Sequence, residues 1–317
     1  MKDKWDSKRY NSLNYFLRNK FGEKVFKISL DAGFTCPNRD GKVGVGGCIF
    51  CSARGSGDFT GKSKSLTQQF EEVKSIMNKK WKSGKYIGYF QAYTNTYAPA
   101  DILKQKYEEI LNMDDVVGIA IATRPDCLDD DVLEVLHEIS KKKYIWVELG
   151  LQTIHDKTGE FINRGHDLKA FINGVKKLRN LNIDVIAHII YGLPFETYDM
   201  MMETLNFVAN APIQGVKLHL LHVMKGTKLE SVFYETQFKL LEKEEYIKII
   251  VDSIERLPEN MVIHRLTGDS PRDLLIGPMW SLKKWEVLNS IDDELKLRDT
   301  YQGKKYREDK NVKSMFI

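Results

Sequence analysis

The sequence predicts an α/β protein whose strands form a partial (β/α) barrel. Short apolar runs typical of strands alternate with longer segments in which apolar residues recur at helical spacing. Some runs, such as Val185–Ile190, are apolar throughout, as expected of parallel strands covered on both faces. The repeated strand–helix–strand order implies parallel strands joined by right-handed crossovers. An open doubly wound sheet would produce the same pattern, so both architectures stay open at this point.

The predicted strands and helices alternate strictly along the chain. The strands are Val25–Leu30, Tyr86–Gln91, Val116–Ala122, Tyr144–Leu149, Ile183–Ile190, Gly215–Leu221 and Met261–His264. The helices are Leu66–Trp81, Pro99–Asn112, Asp129–Lys141, Leu168–Leu181, Thr197–Asn210 and Glu242–Leu257. Their apolar residues share one face; Val132, Leu136 and Ile139 are an example.

Length and composition predict a single domain with terminal extensions. The chain has 317 residues, of which 42% are hydrophobic and 29% charged, which excludes a disordered or collagen-like protein. We expect a core over residues 24–265, a basic N-terminal extension over 1–23 and a C-terminal extension over 266–317. No apolar stretch of about 18 residues and no signal peptide is present, so we expect a cytoplasmic protein with no membrane partner.

The charge balance is only mildly basic, with 48 Lys and Arg against 44 Asp and Glu, a formal net charge of +4. The basic residues are concentrated at the two ends of the chain. These ends are either ordinary solvated surface or the binding site of an anionic partner such as RNA.

Three of the four cysteines, Cys36, Cys48 and Cys51, follow the first predicted strand closely. Few but clustered thiols favour metal binding or redox chemistry over disulfides. In β/α barrels, function is built at the C-terminal ends of the strands, where this loop lies. The cysteines could be unrelated core residues, or bind zinc with a fourth ligand such as Cys127. They could also hold a [4Fe–4S] cluster with one iron left open for a ligand.

The segment Asp31–Cys51 resembles the YhcC/YtqA group of radical S-adenosylmethionine enzymes. It combines a long Cys-x11-Cys-x2-Cys spacing, in place of the superfamily's commoner Cys-x3-Cys-x2-Cys, with an aromatic residue, Phe50, before the last cysteine. The group is similar to the radical domain of the Elongator catalytic subunit and to oxygen-independent coproporphyrinogen oxidases. The resemblance runs from about Tyr10 to Arg307 and implies a partial barrel of the radical SAM type. It also implies that Phe50 lies near the adenine of S-adenosylmethionine and that the [4Fe–4S] ligands are Cys36, Cys48 and Cys51.

Polar residues after the second strand are candidate contacts to the methionine part of the cofactor. Related enzymes often have a Gly-Gly-Glu-like turn here, which this chain lacks. Gln91, Thr94 and Asn95 could replace it through their amide and hydroxyl groups. A plain polar turn is the alternative.

Four further residues are candidate cofactor contacts: Arg124, Glu148 and Gln152 at strand ends, and Arg164 after a short helix. Arg124 could bind a carboxylate or phosphate, or form a loop ion pair with Asp126. Glu148 and Gln152 fall on one strand face, which we expect to point inward. Arg164 resembles a position near the cofactor carboxylate.

Later strand ends carry candidate substrate contacts. Lys217 and His219 share a strand face, and His222 follows them. His188 is either a core histidine or a catalytic one, and Arg265–Arg272 is a polar rim or a helix start. Cys127 is expected to be structural.

The resemblance implies reductive cleavage of S-adenosylmethionine to a 5′-deoxyadenosyl radical that abstracts hydrogen from the substrate. The electron would come from a reductase, a flavodoxin or a ferredoxin. Likeness to Elongator points to the C5 side chain of the tRNA wobble uridine, with tRNA as partner. The alternatives are a porphyrin-type or other small-molecule substrate, and a zinc-bound RNA-binding protein without enzymatic activity.

Overall fold

A computed structural model of the chain describes residues 4–55, 57–58, 60, 65–79 and 84–317. Within these residues, seven parallel strands form one sheet and two short strands form an antiparallel pair. The strands are β1 (Val25–Leu30), β2 (Lys85–Phe90), β3 (Val116–Thr123), β4 (Tyr144–Gln152), β5 (Asp184–Tyr191), β6 (Gly215–Leu220), β7 (Val223–Met224), β8 (Val262–Arg265) and β9 (Leu275–Gly277). The antiparallel pair is β7 with β9.

The order of the parallel strands, β1-β2-β3-β4-β5-β6-β8, follows the chain. A doubly wound sheet reverses its strand order at a switch point, whereas a barrel adds each strand beside the last. The prediction of a partial (β/α) barrel is therefore confirmed, and the doubly wound alternative is wrong.

All six predicted helices are present, with ends within a few residues of the prediction. The predicted end of the first of these helices, at Trp81, lies outside the described residues. The described helices are α1 (Leu13–Phe21), α2 (Leu66–Asn78), α3 (Ala100–Leu111), α4 (Asp130–Ser140), α5 (Asp156–Phe161), α6 (Leu168–Asn180), α7 (Tyr198–Asn210), α8 (Lys228–Thr236), α9 (Lys243–Arg256), α10 (Lys284–Leu297) and α11 (Lys310–Ser314). None of them is both long and apolar enough to cross a bilayer.

The outer face of the sheet packs against helices and forms the main core. Alternate strand residues such as Ile119, Val147 and Val185 are fully buried there. Phe90 meets Tyr107 of α3 edge to face, with ring centroids 5.0 Å apart. This core fixes the outward set of side chains and so turns the other set toward the concave face.

The concave face is apolar at the start of the strands and polar further along. The first layer, closed by Leu17 of α1, consists of Val25, Ile87, Ala120, Trp146 and Ile186. Two residues further along four of these strands are Lys27, Tyr89, Glu148 and His188. Helix α1 contacts both edge strands, β1 and β8. The barrel is therefore plugged at the N-terminal ends of its strands, and its polar cavity lies toward their C-terminal ends.

Both basic ends of the chain lie beside the loop that precedes β8. Gln302 donates to the carbonyl oxygens of Pro258 and Met261 at 2.7 and 2.8 Å, which ties the C-terminal segment to that loop. Several of the basic side chains form ion pairs: Lys4 with Glu259, Lys8 with Asp292, Arg9 with Asp299 and Lys305 with Glu255. RNA binding by these ends stays a prediction, and it would occur at the plugged end of the barrel.

Leu17→Ala should destabilise the protein by about 2–5 kcal/mol, because it leaves a cavity in the plug of the barrel. Leu17 is 3% exposed. Leu297→Ala is the control, since that side chain is 82% exposed, and it should change the free energy of unfolding by less than about 0.5 kcal/mol. Urea denaturation measures both. Equal effects of the two substitutions would show that α1 does not stabilise the barrel.

Candidate active site

Cys36, Cys48 and Cys51 line one cavity of about 190 Å³ at the C-terminal ends of the strands. The backbone N–H of Cys51 donates to the carbonyl of Cys48 at 3.0 Å, so these two residues share one turn. Gly47 precedes them with a φ of +82°, and a Cβ there would lie 2.9 Å from the Arg39 side chain. Glycine is required at this position for both reasons. The glycine thus allows the chain to turn tightly just before Cys48.

Hydrogen bonds tie the cysteine loop to the segment after α5. Asn38 donates through Nδ2 to the carbonyl of Asn163 at 2.6 Å. Asn163 donates in return to the carbonyl of Gly47 at 2.8 Å. The N–H of Ile49 reaches the carbonyl of Ile162 at 3.0 Å. The loop that carries the cysteines is thus held in place by the protein itself.

Cys48 and Cys51 are half-buried, and their surroundings shift the pKa of both thiols. Burial raises the pKa of Cys48 to about 12 and also raises the pKa of Cys51. Arg39 opposes this rise at Cys51. Because metal-bound cysteine is thiolate, metal binding here must release protons.

The donor set suits an iron–sulfur cluster. Three cysteine sulfurs line one cavity, and cysteine thiolates are the usual ligands of such clusters. Asn38 Nδ2 lies 3.8 Å from the sulfur of Cys48, where it can donate to a thiolate. In the described part of the chain, no three His, Cys, Asp or Glu side chains are arranged to hold a single metal ion.

Cys127 lies apart from these three cysteines. It lines a different surface cavity, with Pro37, Thr96 and Tyr97 among its neighbours. Its backbone carbonyl accepts a hydrogen bond from Thr96 at 2.5 Å.

The structure brings most of the predicted cofactor contacts together. The wall of the cysteine cavity includes Gln91, Thr94, Arg124, Glu148, Gln152 and Arg164. Phe50 lines an adjoining outer cavity of about 720 Å³, which shares Cys51, Gln91 and Gln152 with the first. Asn95 lines neither cavity; its Nδ2 donates to the carbonyls of Phe90 and Ala122 at 3.1 and 2.9 Å. Asn95 therefore braces the turn that presents Thr94.

The two arginines predicted as cofactor contacts, Arg124 and Arg164, both form hydrogen bonds within the protein. Arg124 forms a two-pronged ion pair with Asp126 at 2.9 and 2.7 Å and donates to the carbonyl of Arg164 at 2.7 Å. Arg164 donates to the carbonyls of Leu151 and Thr153, both at 2.6 Å. Arg124 thus forms the loop ion pair that was its alternative role. Direct contact of either arginine with a cofactor stays a prediction.

Gln152 is open toward a ligand. It has a φ of +60° and sits where the pairing between β4 and β5 shifts. Such irregularities re-aim side chains near active sites. Its Oε1 atom is buried and has no hydrogen-bond partner within the described residues. A buried polar atom of this kind normally has a partner, so a bound molecule is the expected one.

Glu148 is the centre of a buried hydrogen-bond network. Trp146 Nε1 donates to it at 2.9 Å and His188 Nε2 at 2.8 Å. Lys217 forms a close ion pair with the same carboxylate and donates to the Tyr89 hydroxyl at 2.9 Å. The predicted inward direction of Glu148 is therefore confirmed, and Lys217 points to the same interior. Both oxygens of Glu148 already have protein partners.

The charges in this network are strongly coupled. Burial acts to raise the pKa of Glu148, but Lys217, Lys27 and His188 outweigh it, and the pKa lies well below its ordinary value. Burial and the charge of Lys217 lower the pKa of His188 to about 4. His188 is thus neutral at neutral pH, and its Nε2–H donates to the carboxylate.

Lys27, Tyr89 and Trp146 also contribute to the interior, although the sequence did not single them out. Lys27 lines the outer cavity. Its place in β1, where Lys27 and Ser29 alternate with Ile28 and Leu30, is the signal that could have shown this.

Glu148→Gln should lower the free energy of unfolding by about 3 kcal/mol or more, because it leaves buried ammonium groups without their counter-charge. The pKa of Glu148 is depressed, so its stabilisation is full above the ordinary carboxyl range and is lost as pH falls toward the folded-state pKa. The stability gap between wild type and variant should therefore shrink in acid. Thermal unfolding as a function of pH measures it.

Glu138→Gln is the control, because Glu138 pairs with Lys104 at 2.6 Å on the surface. It should have little effect. A Glu148→Gln protein as stable as this control would contradict a charged Glu148 in the network.

Comparison with known proteins identifies the family. The sequence profile of the Radical SAM superfamily matches residues 36–208, and that of the Radical_SAM C-terminal domain matches residues 213–297. The first match begins at Cys36, the first of the three cavity cysteines.

Two relatives align over most of their length. The chain is 54% identical to YtqA of Bacillus subtilis over 298 residues, which cover 94% of this chain and 92% of YtqA. It is 35% identical to YhcC of Escherichia coli over 277 residues, which cover 87% of this chain and 89% of YhcC. A more distant relative is the tRNA uridine(34) acetyltransferase of Methanocaldococcus jannaschii, 26% identical over 163 residues, or 50% of this chain and 30% of that protein.

A solved structure shares the fold. The archaeal Elp3 of Methanocaldococcus infernus, with an N-terminal deletion, superposes with a TM-score of 0.65 and 16% identity. The match covers 88% of this chain and 64% of that one. With the profile matches and the two close relatives, the chain belongs to the radical SAM superfamily, whose enzymes use a [4Fe–4S] cluster and S-adenosylmethionine.

Proposed function

We propose that this radical SAM enzyme modifies the C5 side chain of the tRNA wobble uridine. The observation that carries the proposal is the alignment of half the chain with a tRNA uridine(34) acetyltransferase. That relative is named for the uridine at the wobble position. The polar outer cavity above the cysteine loop offers room for a nucleotide at the C-terminal ends of the strands.

Cys36, Cys48 and Cys51 hold the cluster in this proposal. Three thiolates would leave one iron without a protein ligand and so available to S-adenosylmethionine. When bound, the two groups together supply an adenosyl radical that abstracts hydrogen from the substrate. The protein's part is to hold the ligands and to exclude water from the buried cavity. Asn38 and Arg39 stabilise the thiolates and fix their loop.

The remaining predicted contacts divide by their surroundings. Gln91, Thr94 and Gln152 line the cavity and take the methionine part of the cofactor, while Phe50 lies toward the adenine. Arg124, Glu148 and Arg164 line the same cavity and act indirectly. They position the side chains and backbone groups to which they are hydrogen-bonded. The electron donor is a reductase, a flavodoxin or a ferredoxin, and the reaction takes place in the cytoplasm.

Cys48→Ala should abolish both cluster assembly and S-adenosylmethionine cleavage, because two thiolates cannot hold the cluster. Cys127→Ala is the matched control; it removes a cysteine outside the cavity and should retain both properties. Iron and sulfide content after anaerobic reconstitution, and 5′-deoxyadenosine formation, measure them. Full iron content in Cys48→Ala, or zinc without iron in the wild type, would contradict the ligand assignment.

Deletion of the gene should change the wobble-uridine nucleosides of cellular tRNA. Complementation by the wild type should restore them, and complementation by Cys48→Ala should not. Mass spectrometry of digested tRNA measures the change. Unchanged wobble nucleosides would refute the tRNA proposal and leave a small-molecule substrate as the alternative.

A further inference from the structure

In and beneath the outer cavity lie four basic side chains, Lys27, Lys217, Lys284 and Arg265, and three carboxyl groups, Glu148, Asp58 and Asp269. Glu148 has two cations near it, Lys217 in close contact and Lys27 at 3.9 Å. Asp269 also has two, Lys284 at 2.6 Å and Arg265 at 3.7 Å. Each carboxylate is therefore bound closely by one lysine, which leaves the cations Lys27 and Arg265 at longer range. The cavity also contains Asp58, which accepts a hydrogen bond from Ser52 at 3.0 Å.

Arg265 is the less satisfied of these two cations. It lies at the end of β8, lines both the cysteine cavity and the outer cavity, and its side chain is 28% exposed. Its interaction with Asp269 is too long for a hydrogen bond. A guanidinium group presents five N–H donors in a fork that matches the two oxygens of a carboxylate or phosphate.

Two histidines beside Arg265 also have an unused ring nitrogen. The Nε2 atoms of His219 and His222 are buried without a hydrogen-bond partner in the described part of the structure. Both residues line the outer cavity. Burial lowers the pKa of each, to about 4 for His222, so both are neutral near pH 7. A neutral imidazole can donate one N–H without adding a further buried charge.

We propose that Arg265, His219 and His222 form a binding site for an anionic group of the substrate, a carboxylate or a phosphate. The proposal rests on the proposed function, since it places the substrate nucleotide in the outer cavity. A guanidinium group at a cavity wall without a close counter-ion is costly unless an anion pairs with it. An anion at Arg265 would supply the missing partner and seat the substrate next to the cysteine cavity.

The anion has two possible sources in a wobble nucleotide, its phosphate and an acidic C5 side chain. Three probes separate them: uridine, uridine 5′-monophosphate and 5-carboxymethyluridine. Their dissociation constants are measured by calorimetry on the cluster-reconstituted protein with S-adenosylmethionine, in the absence of tRNA. One of the two acids should bind about tenfold or more tightly than uridine. The acid that binds more tightly identifies the source of the anion.

Arg265→Gln should remove that preference, and Arg265→Lys should retain part of it, because lysine keeps the charge without the fork. Arg272→Gln is the matched control, since Arg272 is an exposed arginine in the following loop. It should leave the preference unchanged. The rate of 5′-deoxyadenosine formation without substrate and the affinity for S-adenosylmethionine should be unchanged in Arg272→Gln, and both are also measured in the two Arg265 variants.

Three results would overturn the site. The first is that neither acid binds the wild type more tightly than uridine does. The second is that Arg265→Gln weakens the binding of uridine as much as that of the acids. The third is that Arg265→Gln weakens the binding of S-adenosylmethionine, which would assign the arginine to the cofactor. All three are read without tRNA. They are therefore independent of the comparison of tRNA nucleosides after gene deletion. Unchanged nucleosides in that comparison would refute the tRNA substrate alone.

Discussion

The buried carboxylate of Glu148 is the interaction on which the barrel interior depends. It joins β4 to β5 through His188 and to β6 through Lys217, and it is the nearest counter-charge of Lys27 on β1. Without it, several cations would face an enclosed space with no partner. Both carboxylate oxygens of Glu148 already have protein partners. Glu148 therefore sets the shape and charge of the cavity, and residues nearer its mouth contact the ligands.

Much of the fold could be predicted from the sequence because parallel strands covered by helices are apolar throughout and helices repeat at their own period. The choice between barrel and doubly wound sheet could not, since it depends on which strands are neighbours. Helix α1 was missed for a related reason. It has nine residues, and only Leu17 among them is fully enclosed, so its role as a plug exists only through contacts with distant strands.

Part of the site could also be predicted from the sequence. Polar residues at strand ends, such as Thr94 and Gln152, could be found because the C-terminal ends of parallel strands meet at one edge. Whether a side chain is free or already hydrogen-bonded within the protein depends on tertiary contacts, and the sequence cannot show these. Arg124 and Arg164 resemble ligand contacts in the sequence, yet their donors reach Asp126 and backbone carbonyls. Arg265, which the sequence placed only on a polar rim, has only the 3.7 Å contact with Asp269 as an ion pair among the described residues.

Mössbauer spectroscopy of the iron-reconstituted wild type, with and without S-adenosylmethionine, tests most directly whether the three cysteines hold a cluster with one open iron. Three protein thiolates predict that one iron of the [4Fe–4S] cluster differs from the other three and that its signal alone shifts when S-adenosylmethionine is added. A cluster whose four irons are equivalent and unchanged by S-adenosylmethionine would mean a fourth protein ligand, and would contradict the proposed site.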